Sequence, residues 1–323
     1  MRDGIHPNNR KIFNNFRTLC VRIDNFHSDL NDPPLIIQFL LGELMQTKTL
    51  IDGLCFGEGP RWHEDRLWFS DMHDHKVYAT DMDGKLETIA HVPEQPSGLG
   101  WLPDGRLLIV SMLDRKLLVH KDGELTEFAD LHDLSKFHCN DMITDQEGRS
   151  YVGNFGFDLH SNAEQVTTEI VMVQPDGKAE VVATDMAFPN GTVITPDFKT
   201  MIVGESMAGC LTAFDIADDG TLSNRRIWAQ LEKAIPDGIC LDEEGGIWVA
   251  SPVSNEALRV MEGGEVTDRI IVENQAFACM LGGDDRKRLF ILTSATSDPE
   301  ECRIGRSAKI EYVDVAIAGA GLP

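Results

Sequence analysis

The chain has 323 residues, 42% of them hydrophobic and 25% charged, an ordinary globular composition that excludes a disordered protein and leaves room for one large domain or two small ones. Acidic residues outnumber basic ones 53 to 29, a formal charge of -24; such a field repels phosphate backbones and anionic lipid, so neither nucleic acid nor a membrane is an expected partner. The longest apolar run, residues 35–41, is interrupted by Gln38 and falls far short of the roughly 20 residues a membrane helix needs.

Residues 1–44 show no strand alternation and carry four asparagines in the first fifteen positions. They read as an N-terminal extension, either helical around residues 35–44 or the product of an over-long reading frame whose natural start is Met45. The second reading is preferred, which makes the extension non-native or disordered and leaves residues 45–323 as the folded domain. The apolar stretch follows Asp29, Asp32 and two prolines, the wrong order for a secretory signal. Seven cysteines are scattered without a C-x-x-C pair, and their odd number argues against a disulfide framework. A cytoplasmic location is expected.

From Thr47 onward, helical periodicity gives way to short strand runs such as Arg66-Leu67-Trp68-Phe69-Ser70 and Gly246-Ile247-Trp248-Val249-Ala250. Between them stand Asp83-Gly84, Asp104-Gly105, Asp122-Gly123, Asp176-Gly177 and Asp219-Gly220, which supply the positive φ that tight hairpins require. The chain is all-β. Six segments superpose, beginning at Glu58, Ser97, Asn140, Asn190, Asp237 and Cys279, each start roughly 39 to 50 residues after the last. That spacing is one blade of four antiparallel strands, and the chain holds a six-bladed β-propeller.

The first strand of each blade lines the central channel, so the six starting residues form a ring around the axis. Four of them offer carboxylate or amide oxygen, the ligands a hard cation such as calcium selects. The bland alternative is that Asn or Asp before Gly merely forms a turn, as Asp104 and Asp176 do. Context separates the two, because Pro236-Asp237-Gly238 precedes an inner strand whereas the other two sit between paired strands. A metal reading follows for Glu58, Asn190 and Asp237, and less directly for Asn140.

These residues make the chain, from Met45 to its C-terminus, similar to the senescence marker protein/regucalcin/gluconolactonase family of six-bladed propellers. The matching stretches are Gly57-Glu58-Gly59-Pro60 with Trp62, Pro96-Ser97-Gly98-Leu99, Asn140-Asp141, Pro189-Asn190-Gly191, Pro236-Asp237-Gly238 and Leu281-Gly282-Gly283. The resemblance implies a divalent cation on Glu58, Asn190 and Asp237 with Asn140 beside it, Ca2+ first and Zn2+, Mn2+ or Mg2+ as alternatives. It implies hydrolysis of a small-molecule lactone by a monomer or weak homo-oligomer, with Asp237 as the catalytic base and Asn140 and His138 contacting substrate. Metal binding should weaken Asp237 as a base, which leaves a hydroxide on the cation as the alternative nucleophile. Sugar-lactone members carry Arg where this chain has His138, and polar residues where it has Phe155 and Phe157; a less hydroxylated or partly apolar lactone is expected.

Two other functions compete. A similar Glu/Asn/Asn/Asp set serves calcium-dependent phosphotriesterases resembling diisopropyl fluorophosphatase, and a calcium-binding propeller without catalysis needs only the oxygens. Other motifs carry less. Gly204-Glu205-Ser206-Met207-Ala208-Gly209 has its second glycine displaced from the nucleophile-elbow position. Asp81-Met82-Asp83-Gly84 lacks the later ligands of an EF-hand and reads as a hairpin. His63, His73 and His75 read as solvated surface before they read as a metal site, and Cys279 reads as a small core residue.

Overall fold

A computed structural model of the chain describes residues 46–161 and 163–322; the expectations for residues 1–44 lie outside the described residues. The strands form six antiparallel four-stranded sheets arranged as a β-propeller. Blade 1 holds β2 (Gly57–His63), β3 (Arg66–Asp71), β4 (Lys76–Thr80) and β5 (Leu86–His91); blade 2 holds β6 (Pro96–Trp101), β7 (Leu107–Ser111), β8 (Lys116–Lys121) and β9 (Glu124–Asp130). Blade 3 is β10 (Cys139–Thr144), β11 (Ser150–Asn154), β12 (Thr168–Val173) and β13 (Ala179–Met186), and blade 4 is β14 (Pro189–Ile194), β15 (Thr200–Glu205), β16 (Cys210–Ile216) and β17 (Leu222–Gln230). Blade 5 is β18 (Ile239–Leu241), β19 (Ile247–Ser251), β20 (Glu256–Val260) and β21 (Val266–Ile271).

Blade 6 is built from both ends of the propeller: β22 (Gln275–Gly282), β23 (Arg288–Ser294) and β24 (Ala308–Asp314) are completed by β1 (Lys48–Leu54). Lys48 pairs with Tyr312 and Ile51 with Ile310, and Thr47 Oγ1 donates to Glu311 Oε1 at 2.8 Å. This pairing closes the ring and covers an edge that would otherwise present unpaired backbone groups.

Burial falls from the axis outward. β10 and β14 are buried at every position, whereas the outermost β9 and β13 are mostly exposed or half-buried. The inner strands therefore read as continuous small or apolar runs and the outer ones as mixed polar runs. Asp81 confirms the hairpin reading: its Oδ1 accepts from the backbone N–H of Asp83 and Lys85, and Gly84 has φ +81°.

Two further features position the site. The inner strands carry a register shift near their first residues, between Glu58 and Arg61, Pro96 and Leu99, Cys139 and Met142, and Pro189 and Thr192. An extra residue at such a bulge re-aims side chains that a regular strand would bury between sheets. At the opposite end of the channel, the C-terminal tail crosses the ends of β14 and β18 through Leu322 N–H to Ile194 C=O at 3.0 Å and Ala320 N–H to Leu241 C=O at 2.9 Å. Among the described residues no helix is long and apolar enough to cross a membrane.

Candidate active site in the central channel

Neighbouring inner strands meet so closely at the first bulge that four ring residues, Glu58, Ser97, Asn190 and Asp237, are followed by a glycine with no room for a Cβ. A Cβ on Gly191 would stand 2.5 Å from Ile239 N, and one on Gly98 would stand 2.3 Å from Met142 N. Backbone cannot yield to such a contact, which is the physical reason that a glycine follows Ser97 and Asn190. The same approach sets the ring's level. Gly191 N–H donates to Asp237 C=O at 3.2 Å, and one blade further on Gly238 N–H donates to Phe277 C=O at 2.8 Å.

That repeated bond places Phe277, not Cys279, beside Asp237. The sixth member of the expected ring is therefore corrected by two residues. Cys279 lies deeper, with its thiol 4.0 Å from that of Cys240 and 3.4 Å from Trp248 C=O, and burial pushes it well above the ordinary thiol range. It is an inert core residue. The misregister arises because β22 starts its bulge between Ala276 and Ala278, without the Asn-Gly or Asp-Gly pair that marks other blades.

Glu58 lies within electrostatic reach of Asp237, Asp237 accepts a hydrogen bond from Asn190, and Asn140 reaches the backbone of Pro189 beside Asn190. Burial, then Asp237 and Asp141, raise the Glu58 carboxyl well above its usual range against the Gly59 N–H that it accepts at 3.1 Å. Burial also pushes Asp237 up to about 8, opposed by a hydrogen bond from Asn190 and reinforced by Asp141. Both side chains are enclosed by protein yet keep partly open surface, as expected of groups facing an internal channel. Asn190 also donates through Nδ2 to Ser206 Oγ at 3.2 Å, and Asn140 Nδ2 donates to Pro189 C=O at 3.3 Å. With each amide nitrogen committed to protein, its oxygen is the atom left for a ligand.

Three residues with supporting roles escape a reading by motif. Ser206 donates to Pro236 C=O at 2.7 Å while accepting from Asn190; its proton is engaged, so it orients the amide and is no nucleophile. Arg61, 4% exposed, donates to Asp141 Oδ1 at 2.6 Å, to Leu99 C=O at 3.0 Å and to Pro60 C=O at 2.8 Å. The pair keeps Asp141 occupied beneath the ring. Only the Asn140-Asp141 dipeptide hinted at it, because partners 80 residues apart leave no local signal.

His138 is half-buried, its ring 4.0 Å from that of Phe137 and 6.3 Å from that of Phe155, and burial lowers its pKa. It borders an apolar cluster at the ring end of the channel that includes Phe56, Phe155, Phe157, Phe188, Phe277 and Met112. His63 and His73 lie at opposite ends of the β2–β3 hairpin: His63 stacks on Trp101 at 3.9 Å, and His73 packs against Phe56 at 5.1 Å. They do not form a metal site.

The donor set fits a hard divalent cation. Among the described residues no three His, Cys, Asp or Glu side chains stand together as a metal cluster, so the oxygens would come from two carboxylates completed by amides. Burial holds both carboxylates where ionisation is disfavoured, and a positive charge there would relieve both.

The family model for the SMP-30/Gluconolactonase/LRE-like region matches residues 56–295. Regucalcin of Danio rerio is 27% identical over 254 residues, covering 74% of this chain and 82% of the relative. The 6-deoxy-6-sulfogluconolactonase of Pseudomonas putida is 25% identical over 272 residues, covering 81% and 88%. The crystal structure of a calcium-binding regucalcin from Agrobacterium tumefaciens superposes with a TM-score of 0.72 at 21% identity, covering 86% of this chain and 97% of that one, a likeness of fold. The match over most of the propeller, on the blades that carry the ring, means that this chain belongs to the SMP-30/gluconolactonase/LRE-like family.

Proposed function

We propose that this protein is a divalent-cation-dependent lactonase, with Ca2+ the first candidate cation. The observation that carries the reading is the proximity of Glu58, Asn190 and Asp237, with the two carboxylates held by burial where ionisation is disfavoured. Support comes from family membership and from a relative named as a sulfogluconolactonase. Glu58, Asn190, Asp237 and Asn140 would hold the cation, which when bound polarises a carbonyl and stabilises the oxyanion that forms on it.

The chain's own residues divide the remaining work. Asp237 takes a proton from the water whose oxygen attacks the lactone carbonyl carbon, and returns it to the ring oxygen as the carbon–oxygen bond breaks. The product is a hydroxy acid. Ser206 holds Asn190 in place, Arg61 keeps Asp141 from competing for the cation, and Asn140 and His138 contact substrate.

Metal analysis of the purified protein, followed by a pH-indicator screen of lactones and organophosphates with and without chelator, tests the reading. Lactone opening that chelation abolishes and Ca2+ restores is the expected result. Turnover of organophosphates alone would make the protein a phosphotriesterase, and cation binding without turnover would make it a binding module.

A further inference from the structure

At the end of the channel away from the oxygen ring, the last residues of β2, β6 and β10 bound a cavity of about 250 Å3 together with Phe198 and Leu322. Trp62, Leu99, Trp101 and Ile143 form its apolar walls, and none of Glu58, Asn140, Asn190 and Asp237 lines it. Trp62 stands four residues after Glu58 on one strand, up to roughly 13 Å further along the channel at the ordinary rise of a strand. Trp228 and Trp248 are buried within the blades, whereas Trp62 and Trp101 stay half-buried and border this cavity.

One of the lining residues is held in a strained backbone conformation. The turns from first to second strand in blades 2, 3, 4 and 5 are equivalent, each closed by an N–H that donates to the carbonyl three residues back: Gly105 to Leu102 at 2.8 Å, Gly148 to Asp145 at 3.0 Å, Phe198 to Thr195 at 2.8 Å and Gly245 to Asp242 at 3.0 Å. The glycines adopt φ of +85°, +84° and +79°, and Phe198 adopts +58°, a region that a bulky side chain rarely enters. Blade 6 places Arg286 in the same turn at +54°, where its carbonyl holds the tail through Gly319 N–H at 2.9 Å. Phe198 packs partly against the core between blades 3 and 4 and also lines the cavity. A phenylalanine kept where the neighbouring blades use glycine points to a role for its ring at that surface.

The charged groups at the cavity are satisfied within the protein. Arg61 donates to the Leu99 and Pro60 carbonyls and to Asp141 Oδ1. Asp145 accepts from the backbone N–H of Glu147 and Arg149 through Oδ1, both at 2.9 Å, and from Arg149 Nε through Oδ2 at 2.6 Å. His63, stacked on Trp101 at 3.9 Å, has its pKa lowered by burial against the pull of Glu64. A charged ligand would lose its hydration here without gaining a counter-charge. An apolar cavity of about 150 Å3 takes one benzene ring, so one of about 250 Å3 takes two fused rings, and flat ligand faces suit indole walls. We propose that this cavity is a second ligand site, independent of the lactonase reading, for an uncharged planar aromatic molecule of two fused rings, held by Trp62, Trp101 and Phe198.

The test is titration calorimetry of the full chain, with Ca2+ and again in chelator, against 2-naphthol, decahydro-2-naphthol and naphthalene-2-sulfonate. 2-Naphthol should bind one equivalent in both conditions, about fivefold or more tighter than its saturated analogue, which lacks a flat face, and about tenfold or more tighter than the sulfonate. Phe198→Gly gives blade 4 the turn residue of its neighbours, so it should melt within about 4 °C of the parent while binding 2-naphthol about fivefold more weakly. In Trp101→Leu, the second variant should the first fail to fold, the loss should reach about tenfold. No saturable binding of 2-naphthol, equal affinity for the three probes, or unchanged affinity in the folded variants would overturn the proposal. A requirement for Ca2+ would overturn it too, because it would place the ligand at the oxygen ring instead.

Discussion

Replacing Asp237 by asparagine should stabilise the protein when no cation is present, although it removes the residue proposed to carry the chemistry. Burial is the main reason that the folded state pushes this carboxyl from 3.8 to about 8. A group whose folded pKa is raised contributes most below its unfolded value and loses that contribution as pH climbs toward the folded one. At pH 7.5 the disfavoured ionisation corresponds to roughly 5 kcal/mol, and water entering the channel reduces this to about 2–4 kcal/mol. Asparagine keeps the shape and the hydrogen-bonding ability without this penalty. In chelator, Asp237→Asn should melt about 5–10 °C above the parent near pH 8, taking roughly 2–4 °C per kcal/mol for a domain of this size. Near pH 5 the gap should shrink to about 2 °C, because little of the penalty has developed there. His73, whose pKa is lowered to about 4, imposes the opposite slope between that value and the unfolded 6.5, but both proteins share it and it cancels in the difference. Thermal melts of the pair at three pH values, followed by circular dichroism, read the effect directly. A variant no more stable than its parent at pH 8, or a gap that does not widen with pH, would refute the electrostatic picture of the site. Adding Ca2+ should then raise the parent more than the variant, since a cation favours the ionised carboxylate.

In turnover, Asp237→Asn should lose roughly 10² or more, the lower range for a positioned base, while Glu58→Gln should weaken cation binding first and recover in part with added Ca2+; equal, rescuable losses measured by initial rates would reduce Asp237 to a ligand. Gly98→Ala should lower stability by about 1–3 kcal/mol in a urea titration, because its Cβ would fall 2.3 Å from Met142 N and 2.8 Å from Asp141 Oδ1; an unchanged midpoint would mean that the strands at that level separate freely. Deleting residues 1–44 should leave melting and activity unchanged, whereas a chain starting at Cys55 loses β1 and its pairing with β24 and should be insoluble or melted; a folded product of the longer deletion would show that closure of blade 6 is dispensable.

The local chemistry of the chain was enough to determine most of the architecture. Asp-Gly turns and period-two runs are short-range signals, and a blade recurring every 39 to 50 residues leaves only one number of repeats that fits. Asn190-Gly191 and Asp237-Gly238 were legible for the same reason: the close approach that excludes a Cβ writes a glycine into the sequence. What lay beyond reach was whatever depended on partners far apart. Phe277 and Cys279 are two residues apart on one strand and equally apolar in composition, and only the hydrogen bond from Gly238 decides which of them joins the ring. Ser206, discounted as a nucleophile, acquires its role from Asn190 and Pro236 across two blades. Arg61 and Asp141 meet over a separation of 80 residues, and the buried cluster of phenylalanines draws on positions from Phe56 to Phe277. A propeller brings these together because each blade contributes only one strand tip to the axis, so the chemistry of the channel belongs to the closed ring and to no single segment of the chain.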